Sequence, residues 1–257
     1  MSAPEKIIRK IKISCANGTS IAGSTTKVIQ EVTLSVNVNE KPLADIACAG
    51  IHLKELAVGF LRSERIIAGH SDIENIRIIR NIANITLKNK KVFRKSSVKN
   101  IASSGARGKT NSISLTPLTV PADFTVKSVL ALKLMDNLLN GSAVHNQTGG
   151  THCSALAAGN KIVALREDIG RHNTIDMLGG YSLLKKINLS KALILTTGRI
   201  SSEIVYKVWN MGVPVIISHS APTANAVELS RRANILLIGY VRNGKMNIYS
   251  QERRVII

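Results

Sequence analysis

Two apolar periods alternate along this chain. Thr33 to Val38 alternates β-branched and polar residues, as a half-buried strand does, and Asn39 to Pro42 reads as the turn after it. Leu53, Leu56, Ala57, Phe60 and Leu61 recur at helical spacing, with Gly69 expected as the stop. Ile76 to Ile79 and Ala83 to Leu87 read as further strands. Lys88 to Lys99 reads as a basic loop or hairpin, and Ser103 to Ser112, Gly- and Ser-rich without apolar period, as a flexible loop. Pro117 to Asp123 reads as a linker. A helix should follow, capped by Thr125, with Val126, Val129, Leu130, Leu134 and Leu138 on one face and Gly141 after its end.

Beyond this point the pattern changes. Short apolar runs, Lys161 to Leu165, Ala192 to Leu195, Val213 to Ile217 and Ile235 to Val241, alternate with helical stretches, Asn173 to Lys186, Ser201 to Met211 and Thr223 to Ala233. That alternation predicts a parallel or mixed sheet with helices packed on it. Asn243-Gly244 between two strand-like runs is a hairpin signal. The fold class is α/β (α+β overall), with a smaller mixed β-rich domain over residues 1–124 and a layered domain over 125–257.

Composition narrows the partners. With 257 residues and 44% hydrophobic content the chain can bury a core. Aromatic residues are only 3%, which argues against stacking on single-stranded nucleic acid. The formal charge of +19 points to an anionic partner, and no groove-reading motif makes that partner a nucleic acid. Cys15, Cys48 and Cys153 form no CxxC, which fits a reducing compartment. No apolar stretch is long enough for a bilayer and the start lacks a secretory core, so a cytoplasmic location is expected.

In open α/β sheets ligands bind at the carboxyl ends of the strands. Three polar loops fit that position: Arg166 to Asn173, Thr196 to Glu203, and Ser218 to Thr223. Each enters a helix, where free N–H groups and the helix dipole favour anions. Arg171 and Arg199 could fork onto a phosphate, with Gly198, Ser201, Ser220 and Thr223 alongside. Gly149 and Gly150 permit close approach of a ligand, next to His152. His172 at a helix start is the stronger histidine candidate. Cys153 beside His152 could be an activated thiol or a small buried one. Ligand spacing for zinc is absent, so no metal is expected.

Taken in order, these loops resemble the formate dehydrogenase accessory (FdhD) family. The resemblance rests on Thr148 to His152, Arg166 to Asn173, Gly198 to Glu203, Ser220 to Thr223, Gly239 to Tyr249, and Leu43 to Ile67 with Cys48. It implies a cytidine-deaminase-like layered domain without zinc. It also implies binding of the bis-guanine-dinucleotide molybdenum cofactor, with GDP as a surrogate. Sulfur from a cysteine desulfurase would pass to that cofactor, formate dehydrogenase would be the client, and the protein would be a homodimer. The family's cofactor segment corresponds to Tyr240, Val241, Arg242, Asn243, Gly244 and Lys245. Its mobile loop usually carries a CGxCG-type segment. Ser103 to Lys109 stands there instead, with Ser104, Ala106 or Arg107 at the thiol positions and no cysteine in any alignment. A hydroxyl cannot form a persulfide, so the sulfurtransferase step lacks its family residue.

Overall fold

A computed structural model describes residues 7–89, 99–101, 116–121 and 124–257. The chain opens with an antiparallel hairpin of β1 (Ile8–Ala16) and β2 (Ile21–Ile29), most of whose side chains are exposed. Next come β3 (Val32–Val38), β4 (Lys41–Cys48), α1 (Leu53–Ser63), β5 (Ile73–Ile79), β6 (Ile82–Leu87) and β7 (Lys99–Ile101). These strands form a five-stranded sheet in the order β5-β6-β3-β4-β7. On β3 the side chains of Leu34, Val36 and Val38 all point into the core, the alternation expected of a half-buried strand.

The helix α1 ends earlier than Gly69. Glu64 caps it and Arg65 takes a left-handed conformation at φ 56°, turning the chain away. The expected loop over 103–112, with Ser104, Ala106 and Arg107, lies outside the described residues. Residues 116–121 are anchored rather than free. Leu118 donates its N–H to the Ala233 carbonyl at 3.0 Å, and the indole of Trp209 donates to the Thr116 carbonyl at 2.8 Å.

Thr125 does not cap a helix. Val126–Lys127 is a short strand, β8, that pairs in parallel with β15 (Val255–Ile256), and α2 (Ser128–Gly141) starts behind Lys127. The buried face of α2 is Ala131, Leu134, Met135 and Leu138, whereas Val129 is 66% exposed. Helix α3 (Ala143–Thr148) and strand β9 (His152–Ala158) flank Gly149 to Thr151, and neither is among the elements expected from the sequence. β10 (Lys161–Asp168), α4 (Arg171–Leu184), β11 (Ala192–Thr196), α5 (Ser202–Met211), β12 (Val215–Ser218), α6 (Ala224–Arg232), β13 (Leu236–Arg242) and β14 (Lys245–Ser250) complete the chain before β15.

The larger sheet runs β10-β9-β11-β12-β13-β14. β11, β12 and β13 are parallel, and β9 and β14 are antiparallel to their neighbours. One face packs on α2 through Cys153, Ala155, Leu193, Leu195, Val215 and Ile217. The other packs on α4, α5 and α6 through Leu156, Ile194, Ile216 and Leu237. The result is a helix–sheet–helix stack. Helices α1 and α4 cross so closely that a Cβ at Gly59 would overlap the Asp176 carbonyl, and one at Gly180 the Glu55 carbonyl. Met177 and Leu183 of α4 reach into the core of the five-stranded sheet. Among the described residues no helix is long and apolar enough to cross a membrane.

Candidate functional site

The strand directions bring the predicted loops to one edge. The carboxyl ends of β10, β11, β12 and β13 lie beside the amino end of β9, because Asp168 faces His152 across β10 and β9 and Thr196 faces Ser218 across β11 and β12. Backbone bonds lock the loops together: His219 N donates to the Thr196 carbonyl at 3.0 Å, Tyr240 N to the Ser220 carbonyl at 3.0 Å, and Thr223 N to the Ile200 carbonyl at 2.9 Å. Beneath them runs a buried hydroxyl chain. Ser154 Oγ lies 2.7 Å from Thr174 Oγ1 and 2.9 Å from Thr196 Oγ1, which accepts from Gly198 N at 3.1 Å. Ser218 Oγ donates to the Gly198 carbonyl at 2.8 Å.

On this frame sit the candidate binding side chains. Arg171, at the start of α4, lies so close over Gly198 that a Cβ there would come within 2.9 Å of the arginine's own Cβ. His172 is only 3% exposed, and neither ring nitrogen has a hydrogen-bond partner. Its Nε2 is 3.6 Å from Glu203 Oε2. Burial, then Lys207, Arg171 and His152, push its pKa down to about 3, so the ring is neutral at pH 7. Buried Ser201 Oγ, at the start of α5, and Arg171 Nε are also without partners. Buried polar atoms are normally satisfied, so this cluster between the starts of α4 and α5 is suited to a polar ligand. Thr223, by contrast, is occupied, accepting from Ala226 N as the cap of α6.

The β13–β14 hairpin flanks the same edge. Asn243 and Gly244 adopt φ 52° and 69°, as the predicted tight turn requires. Tyr240 is half exposed at φ 58°, in a register irregularity between Gly239 and Arg242. A left-handed tyrosine is strained, and such strain clusters at binding sites. The Arg242 guanidinium lies 3.4 Å over its ring centroid. Val241 points the other way, into the core. Lys245 is exposed across the turn.

Gly149, Gly150 and His152 line a neighbouring cleft of about 460 Å³, together with His145, Thr197 and His219. Those last three were not singled out in sequence. Burial, then Arg171 and His145, lower the pKa of His152. His145 Nδ1 is 2.6 Å from the Thr151 carbonyl. Among the described residues no three His, Cys, Asp or Glu side chains are grouped to hold a metal ion.

Asp168 and Glu167, which read as loop residues, instead fasten the edge. Asp168 is fully buried and accepts from Ala49 N, Gly170 N and Asn173 Nδ2 at 2.8, 3.0 and 2.6 Å. Glu167 accepts from Val144 N and His145 N at 3.1 and 2.7 Å, and from the Cys153 thiol at 3.5 Å. Arg166 is likewise committed, to Glu55. Cys48 and Cys153 are fully buried, and burial foremost pushes both thiols up to about 12. Neither is an activated thiol; Cys15, on the β1–β2 hairpin, is exposed.

A model of the FdhD/NarQ family matches residues 29–256. Sulfur carrier protein FdhD from Staphylococcus haemolyticus is 34% identical over 239 residues, spanning 90% of each chain. Sulfur carrier protein FdhD from Bacillus subtilis is 31% identical over 236 residues, spanning 89% of this chain and 90% of that one. A crystal structure from Desulfotalea psychrophila, of a protein assigned as a formate dehydrogenase accessory protein, superimposes with a TM-score of 0.81. It covers 97% of this chain and 100% of its own; at 20% identity the likeness is one of fold.

Proposed function

The chain belongs to the FdhD/NarQ family, and from that premise we propose that it is a formate dehydrogenase accessory protein that holds the bis-guanine-dinucleotide molybdenum cofactor as its cargo. The observation that carries this reading is the cluster of partnerless buried polar atoms of Arg171, His172 and Ser201 at the edge where the Tyr240–Arg242 stack also lies. Arg171, Arg199 and the N–H groups at the start of α5 supply charge and donors for the diphosphate. Arg242, Lys245 and the Asn243-Gly244 turn supply more. The exposed ring of Tyr240 offers a face to guanine. The helix–sheet–helix stack with β9 antiparallel is read as cytidine-deaminase-like.

The relatives are named as sulfur carriers, and a carrier role here would draw sulfur from a cysteine desulfurase. With no cysteine between Ser103 and Lys109 and with Cys48 and Cys153 buried, the chain is read as a cofactor holder that leaves the loop thiol step undone. The second reading, sulfur carriage, would fall to Cys15. Two experiments separate these readings. Titration calorimetry with GDP should show binding, and its absence would remove the cofactor-holding role. Intact mass after incubation with cysteine and a cysteine desulfurase should show no added sulfur; a reducible sulfur on Cys15 would establish carriage instead. A homodimer is part of the proposal, and sedimentation as a 27.7 kDa particle would contradict it.

A further inference from the structure

The end of α4 remote from the ligand edge borders a second hollow, of about 600 Å³, between the start of α1 and strand β5. Helix α4 is 14 residues long, roughly 21 Å, so Arg171 and Leu184 face different parts of the molecule. The floor of the hollow is apolar: Leu53, Ile78 and Leu184 are half-buried, packed on the core below and open above. Tyr181 completes it, with the Arg166 guanidinium 4.9 Å from its ring centroid.

The rim is basic. Lys54, in the first turn of α1, and Lys185, at the end of α4, both line the hollow and are exposed. Among the described residues the one carboxylate lining it is Glu55, and both its oxygens are taken by Arg166, at 2.6 and 2.9 Å. Helix α1 also begins here without a side-chain cap, its cap residue His52 held at φ 53°. The first N–H groups of α1 and its dipole therefore add to the positive rim. Nothing in the proposed cofactor site uses these residues.

We propose that this groove docks an acidic peptide segment of a partner protein, apolar side chains on Leu53, Ile78 and Leu184 and carboxylates on Lys54 and Lys185. Charge complementarity selects that occupant: a chain of net charge +19 presents an apolar floor framed by lysines, with its single lining carboxylate neutralised from within. A nucleic acid fits less well, because its phosphates would lie over the apolar floor of Leu53, Ile78 and Leu184.

The test is fluorescence anisotropy of the intact protein with a short labelled peptide alternating Glu and Leu. The double variant Lys54→Glu with Lys185→Glu should lose affinity roughly tenfold. Lys12→Glu with Lys161→Glu, an equal change of net charge at exposed sites elsewhere, should leave affinity within about twofold. GDP binding should be the same in both variants, which keeps failure of this docking site distinct from failure of the cofactor site. Equal loss in the two double variants, no loss in either, no binding of the peptide, or equal binding of a Glu–Ser peptide would overturn the proposal.

Discussion

Gly59 of α1 lies against the carbonyl of Asp176 in α4, with no room for a Cβ between them. One turn away Gly180 meets the Glu55 carbonyl in the same way. The two helices therefore touch backbone to backbone, a contact only glycine permits. Gly59→Ala and Gly180→Ala should each force the helices apart and destabilise the protein by about 3 kcal/mol or more. Gly212→Ala is no control, since that glycine has positive φ; Gly23→Ala, with open space around it, is. Urea unfolding would measure all three, and unchanged midpoints for Gly59→Ala and Gly180→Ala would contradict the crossing.

Arg242→Ala should weaken GDP binding by roughly 1.5–3 kcal/mol, the range for a charged hydrogen bond, and release Tyr240 from its stack. Calorimetry reads the effect directly. Unchanged affinity would remove the β13–β14 hairpin from the proposed nucleotide site.

Acid should act through His172. Its pKa is depressed from 6.5 to about 3 in the folded protein, so it binds fewer protons there than in the unfolded chain. The stability this gives is full above pH 6.5 and is lost as pH falls toward 3. Urea midpoints for the parent and His172→Gln between pH 7 and 4 should diverge, with the parent losing stability more steeply by up to one proton's dependence. Parallel profiles would mean the ring is not held neutral.

The thiols should react unequally. Iodoacetamide at pH 8 should label Cys15 in the native protein and leave Cys48 and Cys153 untouched until unfolding, as mass spectrometry would show. With both buried thiols raised from 9.0 to about 12, the folded state holds protons that the unfolded state loses in this range. Their contribution to stability is complete below pH 9 and declines as pH rises toward 12.

Much of this layout was legible in the sequence because periodicity is local. Strands β11, β12 and β13 and helices α5 and α6 stand close to their expected places, and Asn243-Gly244 turns as its type demands. Strand β9 was not legible: His152 to Ala158 is a run of small residues buried on both sides, without alternation. The stop of α1 depends on the left-handed Arg65, a residue with no turn signature. The face of α2 was misassigned at Val129 because strand pairing by Val126 delays the helix start and shifts its phase. The meeting of the loops that carry Arg171, His172 and Gly198 on one edge was foreseen from the alternation of strands and helices, whereas Tyr240 entered only through the family resemblance. The fastening of that edge was not foreseen, since Asp168 holds an N–H 119 residues away at Ala49.

Helix α4 also decides when the first half of the chain can complete its core. The five-stranded sheet and α1 are synthesised first, yet Met177 and Leu183 close their core. A nascent chain ending near residue 124 leaves Leu56, Phe60 and Ile85 without that cover. That part of the core stays uncovered until α4 has been made. The first half of the protein is thus finished by its second.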